Sequence, residues 1–326
     1  MTTNSTQLFS ADFSQADAQS IADEIKNETG YQIFEQALTP EALNGLLESL
    51  PSEQVLVNDN RIGYVKAYSS NYFSHTLAVS RNCFDIVTSE NIRAICRKYF
   101  DKPFRISNQR IYETHTASHL PWHTDNNLQD GNAYKGKHDL PGLMFLFYLS
   151  DVGDTNPFQL IPFSQTWSHQ NNAERFFKES YIEEHYGEEV VSVRAPKGTL
   201  IICNSKMIHR AKPFNNHAFK RLTLLFQVDE VSDEYAGHGE NILINTSFVT
   251  NRDPEVLDYL GFGMRANYPA FPETSVATMM PRDMLALQKQ ILPKAIKGLT
   301  IALTKRILPG SLVNTIRKNR FKVSGN

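Results

Sequence analysis

Apolar and polar positions change their period along this chain, and the changes divide it. Residues 1 to 27 are mostly polar, a loose lead-in with a short helix expected over Ser14–Lys26. Between 28 and 105 helix and strand patterns alternate. Thr39 to Leu50 combines a capping threonine, Pro40 at the first helical position and an apolar stripe, which predicts a helix. Asn91 to Phe100 predicts a second. From about 104 to 229 the period shortens to that of strands. Short β-branched and aromatic runs, among them Leu143–Leu149, Gly198–Cys203 and Leu222–Phe226, stand between turn residues. A succession of short strands of this kind suits a mainly β, jelly-roll architecture with flanking helices. The polar stretch 164–189 interrupts the strands and reads as helical lid material.

Beyond about residue 230 the character changes again. Nine basic residues and no acidic one lie between 289 and 322. Leu292, Ile296, Leu299, Leu303 and Ile307 recur at steps of three and four, with Lys294, Lys297 and Lys305 elsewhere on the helical wheel. This predicts a basic amphipathic helix begun by Pro293. Three uses are open: packing on the barrel, contact with a membrane surface or an acidic substrate, or a partner-protein surface.

Composition narrows the class only a little. At 326 residues with 41% hydrophobic content, the chain can bury a sizeable core in one decorated domain or two small ones. A net charge of −2 predicts no nucleic-acid partner. Cys83, Cys96 and Cys203 form neither a pairing framework nor a metal spacing, which suits a reducing compartment. The N-terminus lacks the basic and apolar regions of a secretory signal, and no run is apolar enough to span a bilayer. The expected location is cytoplasmic, or membrane-peripheral if the basic helix docks.

The chemistry is carried by His123-Thr-Asp125 and, far downstream, His209. Two imidazoles and one carboxylate hold non-haem Fe(II) on one face and leave the opposite positions open. A spacing of two on a strand places His123 and Asp125 on the same face, about 7 Å apart at their roots. The third ligand must come from another strand, and the run ending in His209 supplies it. A lone strand histidine is more often a packing or surface group. His115, His119, His169, His185 and His217 are read in that way, although His119 lies close enough in sequence to touch substrate.

The flanks of these residues narrow the reading further. Pro121-Trp122-His123-Thr124-Asp125, the Leu149-Ser-Asp151 strand end, the Asn156-Pro157 turn and the Gly198-Thr-Leu200 strand leading to His209 occur in this order. The series resembles the phytanoyl-CoA dioxygenase-like family of Fe(II)/2-oxoglutarate oxygenases over about residues 28 to 229. The resemblance implies a double-stranded β-helix (jelly-roll, cupin-like) core at 28–229, with N-terminal helices and a lid insert near 164–189. A polar lead-in at 1–27 and a helical extension at 230–326 flank it. It also implies Fe(II), 2-oxoglutarate and O2 as the reactive partners. Metal ligands would be His123, Asp125 and His209. Arg221, twelve residues after His209, would grip the distal carboxylate of 2-oxoglutarate, as a planar guanidinium does with two parallel hydrogen bonds. Thr223 would donate a third bond, and Gln109 would add a polar contact. Glu113 and Thr124 depart from the lysine and glutamine that relatives often carry.

The implied reaction is hydroxylation, desaturation or ring closure at an unactivated carbon of a small organic substrate, with release of succinate and CO2. The expected substrate walls are 126–140, 164–189 and 64–73, with His119, Asn127 and Arg210 as candidate contacts. Two rival readings remain: a cupin-type metalloenzyme that does not use 2-oxoglutarate, and a non-catalytic jelly-roll scaffold acting through its basic helix.

Overall fold

The computed structural model describes residues 7–50, 64–67, 70–73, 76–114, 121–125, 141–169, 176–214, 220–231, 242–249, 253–262 and 281–308. His119, Asn127 and the loop 126–140 lie outside these. The chain forms two compact units, residues 1–264 with the last three residues, and residues 265–323. The first therefore extends well past the 229 boundary expected for the β domain.

In the first unit, α1 (Ala11–Ser14) and α2 (Ala18–Asn27) lead into β1 (Tyr31–Phe34) and α3 (Pro40–Ser49). Asp17 caps α2 by accepting from the backbone N–H groups of Gln19 and Ser20, and Thr39 caps α3 through Ala42 N–H. After the hairpin β2 (Tyr64–Ala67) and β3 (Ser70–Phe73) come α4 (Thr76–Val79), α5 (Arg81–Val87) and α6 (Glu90–Tyr99). The remaining strands are β4 (Phe104–Thr114), β5 (Trp122–His123), β6 (Gly142–Tyr148), β7 (Phe158–Leu160), β8 (Phe176–Phe177), β9 (Val191–Val193), β10 (Leu200–Asn204), β11 (His209–Ala211) and β12 (Arg221–Glu230).

Among the described residues the strands make two antiparallel sheets. The larger runs β1-β10-β6-β12-β4-β3-β2 and the smaller β8-β5-β11-β7-β9. β6 shows why the central strands read as unbroken apolar runs. Leu143, Phe145 and Phe147 point into the helical layer with Phe13, Ile25, Leu46 and Ile92, whereas Met144, Leu146 and Tyr148 face the space between the sheets. Both faces are buried, so neither alternate set is polar. The smaller sheet is covered on its outer side by Trp122, Ile161, Phe177, Ile208 and by Ile182 and Tyr186 of α7 (Glu179–Tyr186).

The insert expected to be helical is more varied. A 3-10 turn spans Phe163–His169, β8 pairs with β5 as an extra edge strand, and among the described residues of the insert only α7 is α-helical. A short helix α8 (Pro254–Tyr259) adds Tyr259 to the core under the larger sheet. In the second unit α9 spans Pro281–Ile307, with Pro293 inside it rather than at its start. The run from Met284 to Gln290 is rich in strong helix formers, which carry the helix upstream of the proline. No helix among the described residues is long and apolar enough to cross a membrane.

Gly30 sits where α2 turns into β1, at φ +85°. A Cβ added there would lie 2.4 Å from Phe163 Cβ and 2.8 Å from Met207 Cε. Gly30→Ala is therefore expected to cost about 2–4 kcal/mol through positive-φ strain and overpacking. Gly153→Ala, with open space around its Cβ, should stay near neutral. Urea unfolding of the two variants checks the contrast.

Candidate metal centre and cosubstrate cradle

β5 and β11 are hydrogen-bonded neighbours, and their register sets His209 directly opposite His123. Across an antiparallel pair, opposed side chains leave the same face. The two imidazoles point between the sheets, with ring centroids 4.4 Å apart. Phe158 on β7 stands beside His209 at 5.3 Å. Asp125 is two residues past His123, and its N–H donates to Ser205 O at 3.1 Å, which ties the start of the following loop to the end of β10. Its two carboxylate oxygens lie 3.7 Å from His123 Nε2 and 3.7 Å from His209 Nε2.

The donors of His123, Asp125 and His209 all lie within 4.8 Å of one another, and they are the one such cluster among the described residues. Adjacent ligands on one ion, with bonds of about 2.1 Å, sit about 3 Å apart, so a small inward movement closes the site. The ring orientations are already fixed. His123 Nδ1 lies 3.0 Å from Pro121 O and His209 Nδ1 lies 2.9 Å from Met207 O. A carbonyl only accepts, so each Nδ1 carries the proton and each Nε2 presents its lone pair. Two imidazoles and a carboxylate, with hard and intermediate donors, match Fe(II).

Arg221 opens β12 and is buried, as is Thr223 two residues along on the same face. Arg221 Nη1 donates to Asn156 O at 2.7 Å, but its Nε and the Thr223 Oγ1 are buried without a hydrogen-bond partner. Burial pushes the Arg221 guanidinium below its usual value, opposed by Tyr148 and Tyr112 nearby. A buried cation that meets no carboxylate among the described residues, next to a hydroxyl buried without a partner, has the donor chemistry of an anion cradle.

Two other residues singled out in the sequence turn away from this interior. Gln109 lies opposite Phe226, which belongs to the helical layer. Its Oε1 accepts from Thr76 N at 3.2 Å and from the Thr76 hydroxyl, so it caps α4 instead of reaching a cosubstrate. Arg210 follows His209 and alternation sends it outward. Its Nε donates to Gln159 Oε1 at 2.9 Å, its Nη2 to Glu179 Oε1 at 2.8 Å, and its guanidinium lies 4.3 Å from the Trp122 ring. The substrate contact expected of Arg210 is replaced by a strut joining both ligand strands to α7.

The sequence reading passed over Tyr112. It lies opposite Thr223 and packs with Tyr148 and Leu225 on the inner face. Arg110 shares that parity, over the Tyr112 ring at 5.6 Å, and donates to Asn108 Oδ1 at 2.9 Å. Counting by two back from the residue opposite Thr223 would have selected these in place of Gln109. The count requires the β4–β12 register, which no local pattern supplies.

No curated protein sequence matches the chain. Among solved structures, EctD from S. alaskensis, crystallised with 2-oxoglutarate and 5-hydroxyectoine, is 16% identical over 67% of this chain and 77% of its own, with a TM-score of 0.51. The non-heme alpha ketoglutarate dependent carbocyclase SnoK from nogalamycin biosynthesis is 14% identical over 67% and 86%, at 0.51. The epimerase SnoN, in complex with Fe3+, alpha ketoglutarate and nogalamycin RO, is 15% identical over 69% and 93%, at 0.50. At such identities these likenesses establish the fold. The family model for phytanoyl-CoA dioxygenase (PhyH) matches residues 27–222, more than half of the chain. The span takes in β5, β11 and the start of β12, and with it the metal donors and Arg221: the chain belongs to the phytanoyl-CoA dioxygenase family, iron- and 2-oxoglutarate-dependent oxygenases.

Proposed function

We propose that the protein hydroxylates an unactivated carbon of a small organic substrate, coupled to conversion of 2-oxoglutarate to succinate and CO2, with His123, Asp125 and His209 as metal ligands. The observation that carries this reading is the pairing of a three-donor cluster with a buried, anion-seeking Arg221 and Thr223 on the inner face of one barrel. Bound iron supplies the oxidising chemistry, drawing on O2 and the cosubstrate.

The protein's own residues hold and orient. Met207 O and Pro121 O fix the tautomers that aim both Nε2 atoms at the ion. Arg221, steadied by Asn156 O, grips the distal carboxylate of 2-oxoglutarate through Nε and its remaining N–H groups, and Thr223 Oγ1 donates beside it. Met144, Leu146, Phe158 and Leu225 give the interior apolar walls that exclude water from the reacting groups. Asp125 occupies the position that halogenating relatives leave to a halide, which favours hydroxylation, desaturation or ring closure. SnoK and SnoN, a carbocyclase and an epimerase on this fold, mark the other outcomes that product mass has to separate: gain of one oxygen, loss of two hydrogens, or no change.

The test is anaerobic. Adding Fe(II) and then 2-oxoglutarate to the apo-protein should produce the weak visible charge-transfer band of a chelated 2-oxo acid, and His209→Ala should abolish it. Iron binding without the band would overturn the cosubstrate assignment and favour a metalloenzyme that works without 2-oxoglutarate. Failure to bind iron would overturn the proposal altogether.

A further inference from the structure

The second unit carries a feature that oxygenase chemistry does not use. Along α9, Leu285, Leu292, Ile296, Leu299, Leu303 and Ile307 are 49–81% exposed. At 100° per residue these six fall within an arc of about 80°; exposed Lys289 sits at the edge of that arc between Leu285 and Leu292, and from Leu292 to Ile307 the stripe is unbroken. Lys294 and Lys297 are exposed on the other side of the helix. From Leu285 to Ile307 the stripe runs about 33 Å along the helix, an apolar edge rather than scattered surface leucines.

Charge decides what covers it. After Asp283 the sequence has no acidic residue, and nine basic ones follow before its end. A second copy of the same helix would bring like charges together with no acidic groups to pair along the seam, which disfavours homotypic coiling. Pro293, inside the helix, removes one backbone hydrogen bond and bends such a seam. A bilayer surface tolerates a bend, accepts an apolar stripe to the depth of the acyl boundary and rewards lysines at the headgroups. Ile301, 36% exposed, falls outside this arc beside Lys294, and no helix among the described residues is long and apolar enough to cross a bilayer, so the stripe suits a helix lying in the plane of the interface.

We infer that residues 281–307 anchor the protein to an anionic lipid surface, with the Leu285–Ile307 stripe in the interface and the lysines on phosphate headgroups. The inference is independent of the reaction proposed above.

Flotation of the full-length protein with vesicles tests it. On phosphatidylcholine containing about 30% phosphatidylserine, binding should be at least roughly tenfold tighter than on phosphatidylcholine alone, and should weaken as salt rises. Leu292→Ala/Leu299→Ala/Leu303→Ala keeps helix propensity and removes the stripe, so it should lose most of the binding while leaving 2-oxoglutarate turnover unchanged. Lys294→Glu/Lys297→Glu should erase the preference for charged vesicles. Equal recovery with charged and neutral vesicles, or binding that survives the triple alanine variant, overturns the proposal. So does a concentration-dependent dimer, measured by sedimentation, that the alanine variant abolishes while vesicles stay bare; that result would assign the stripe to a second copy.

Discussion

His209→Ala should lower turnover by at least about a thousandfold and iron affinity by more than about a hundredfold, with the fold intact. Three protein donors are the minimum that hold an ion on one face here, and the described residues contain no fourth within reach. His209 is buried, and its loss removes a neutral donor directly opposite His123 while leaving Asp125 facing one imidazole. Alanine also leaves Met207 O without its partner, a cost of about 1–3 kcal/mol that the sheet ladder on both sides of β11 can absorb. Metal content after Fe(II) loading, measured beside circular dichroism, separates loss of ligation from loss of fold. A variant that stays folded and retains iron at wild-type affinity would remove His209 from the ligand set.

Arg221→Met should act on a different quantity. Truncating one partner of a buried charge pair costs about 2–4 kcal/mol, or roughly 30- to 1,000-fold in the KM for 2-oxoglutarate, with a smaller effect on iron binding. The apo-protein should respond in the opposite sense. Without an anion, Arg221 is a buried cation whose described hydrogen bond is to a single carbonyl, and whose Nε is unsatisfied. Replacing an uncompensated buried charge by an apolar chain of similar length is neutral or stabilising. Thermal unfolding of apo Arg221→Met should therefore occur at or above the wild-type temperature. Added 2-oxoglutarate, in the presence of a redox-inert divalent metal, should raise the wild-type midpoint but not that of the variant. A variant that loses stability without ligand yet keeps a normal KM would make Arg221 a structural ion and not a cosubstrate anchor.

What was legible in the sequence follows from which residue types have few alternative uses. Two histidines and an aspartate, each at or beside a strand and in the family's order, have little structural reason to coincide, and the mainly β core was visible because both faces of β6 are apolar and β12 carries Leu222, Leu224, Phe226 and Val228 at alternate positions. Absolute strand phase was not visible. Gln109 and Tyr112 are equally plausible polar residues on a strand, and only the pairing of Thr223 with Tyr112 decides between them. A register shift between Gln227 and Val228 means that counting from the far end of β12 fails as well. Arg210 was equally opaque: its outward course becomes meaningful only once Glu179, from the insert, is seen to meet it. Insert residues 176 and 177 gave no alternation long enough to read, yet pairing with Trp122 and His123 makes them a strand. Pro293 misled because a proline suits the first helical turn far better than the interior, and α9 keeps it inside at a cost.

The direct opposition of His123 and His209 across two hydrogen-bonded strands has a consequence for how such an enzyme diversifies. The spacing of the two imidazoles is inherited from the sheet ladder, so it does not depend on the length or wording of the segments joining the strands. Connections such as the one between Asp125 and β6 can then be rewritten, lengthened or exchanged with little retuning of the reactive centre. A lineage built this way can explore new substrates by drift in its loops while the oxidising machinery is handed down unaltered.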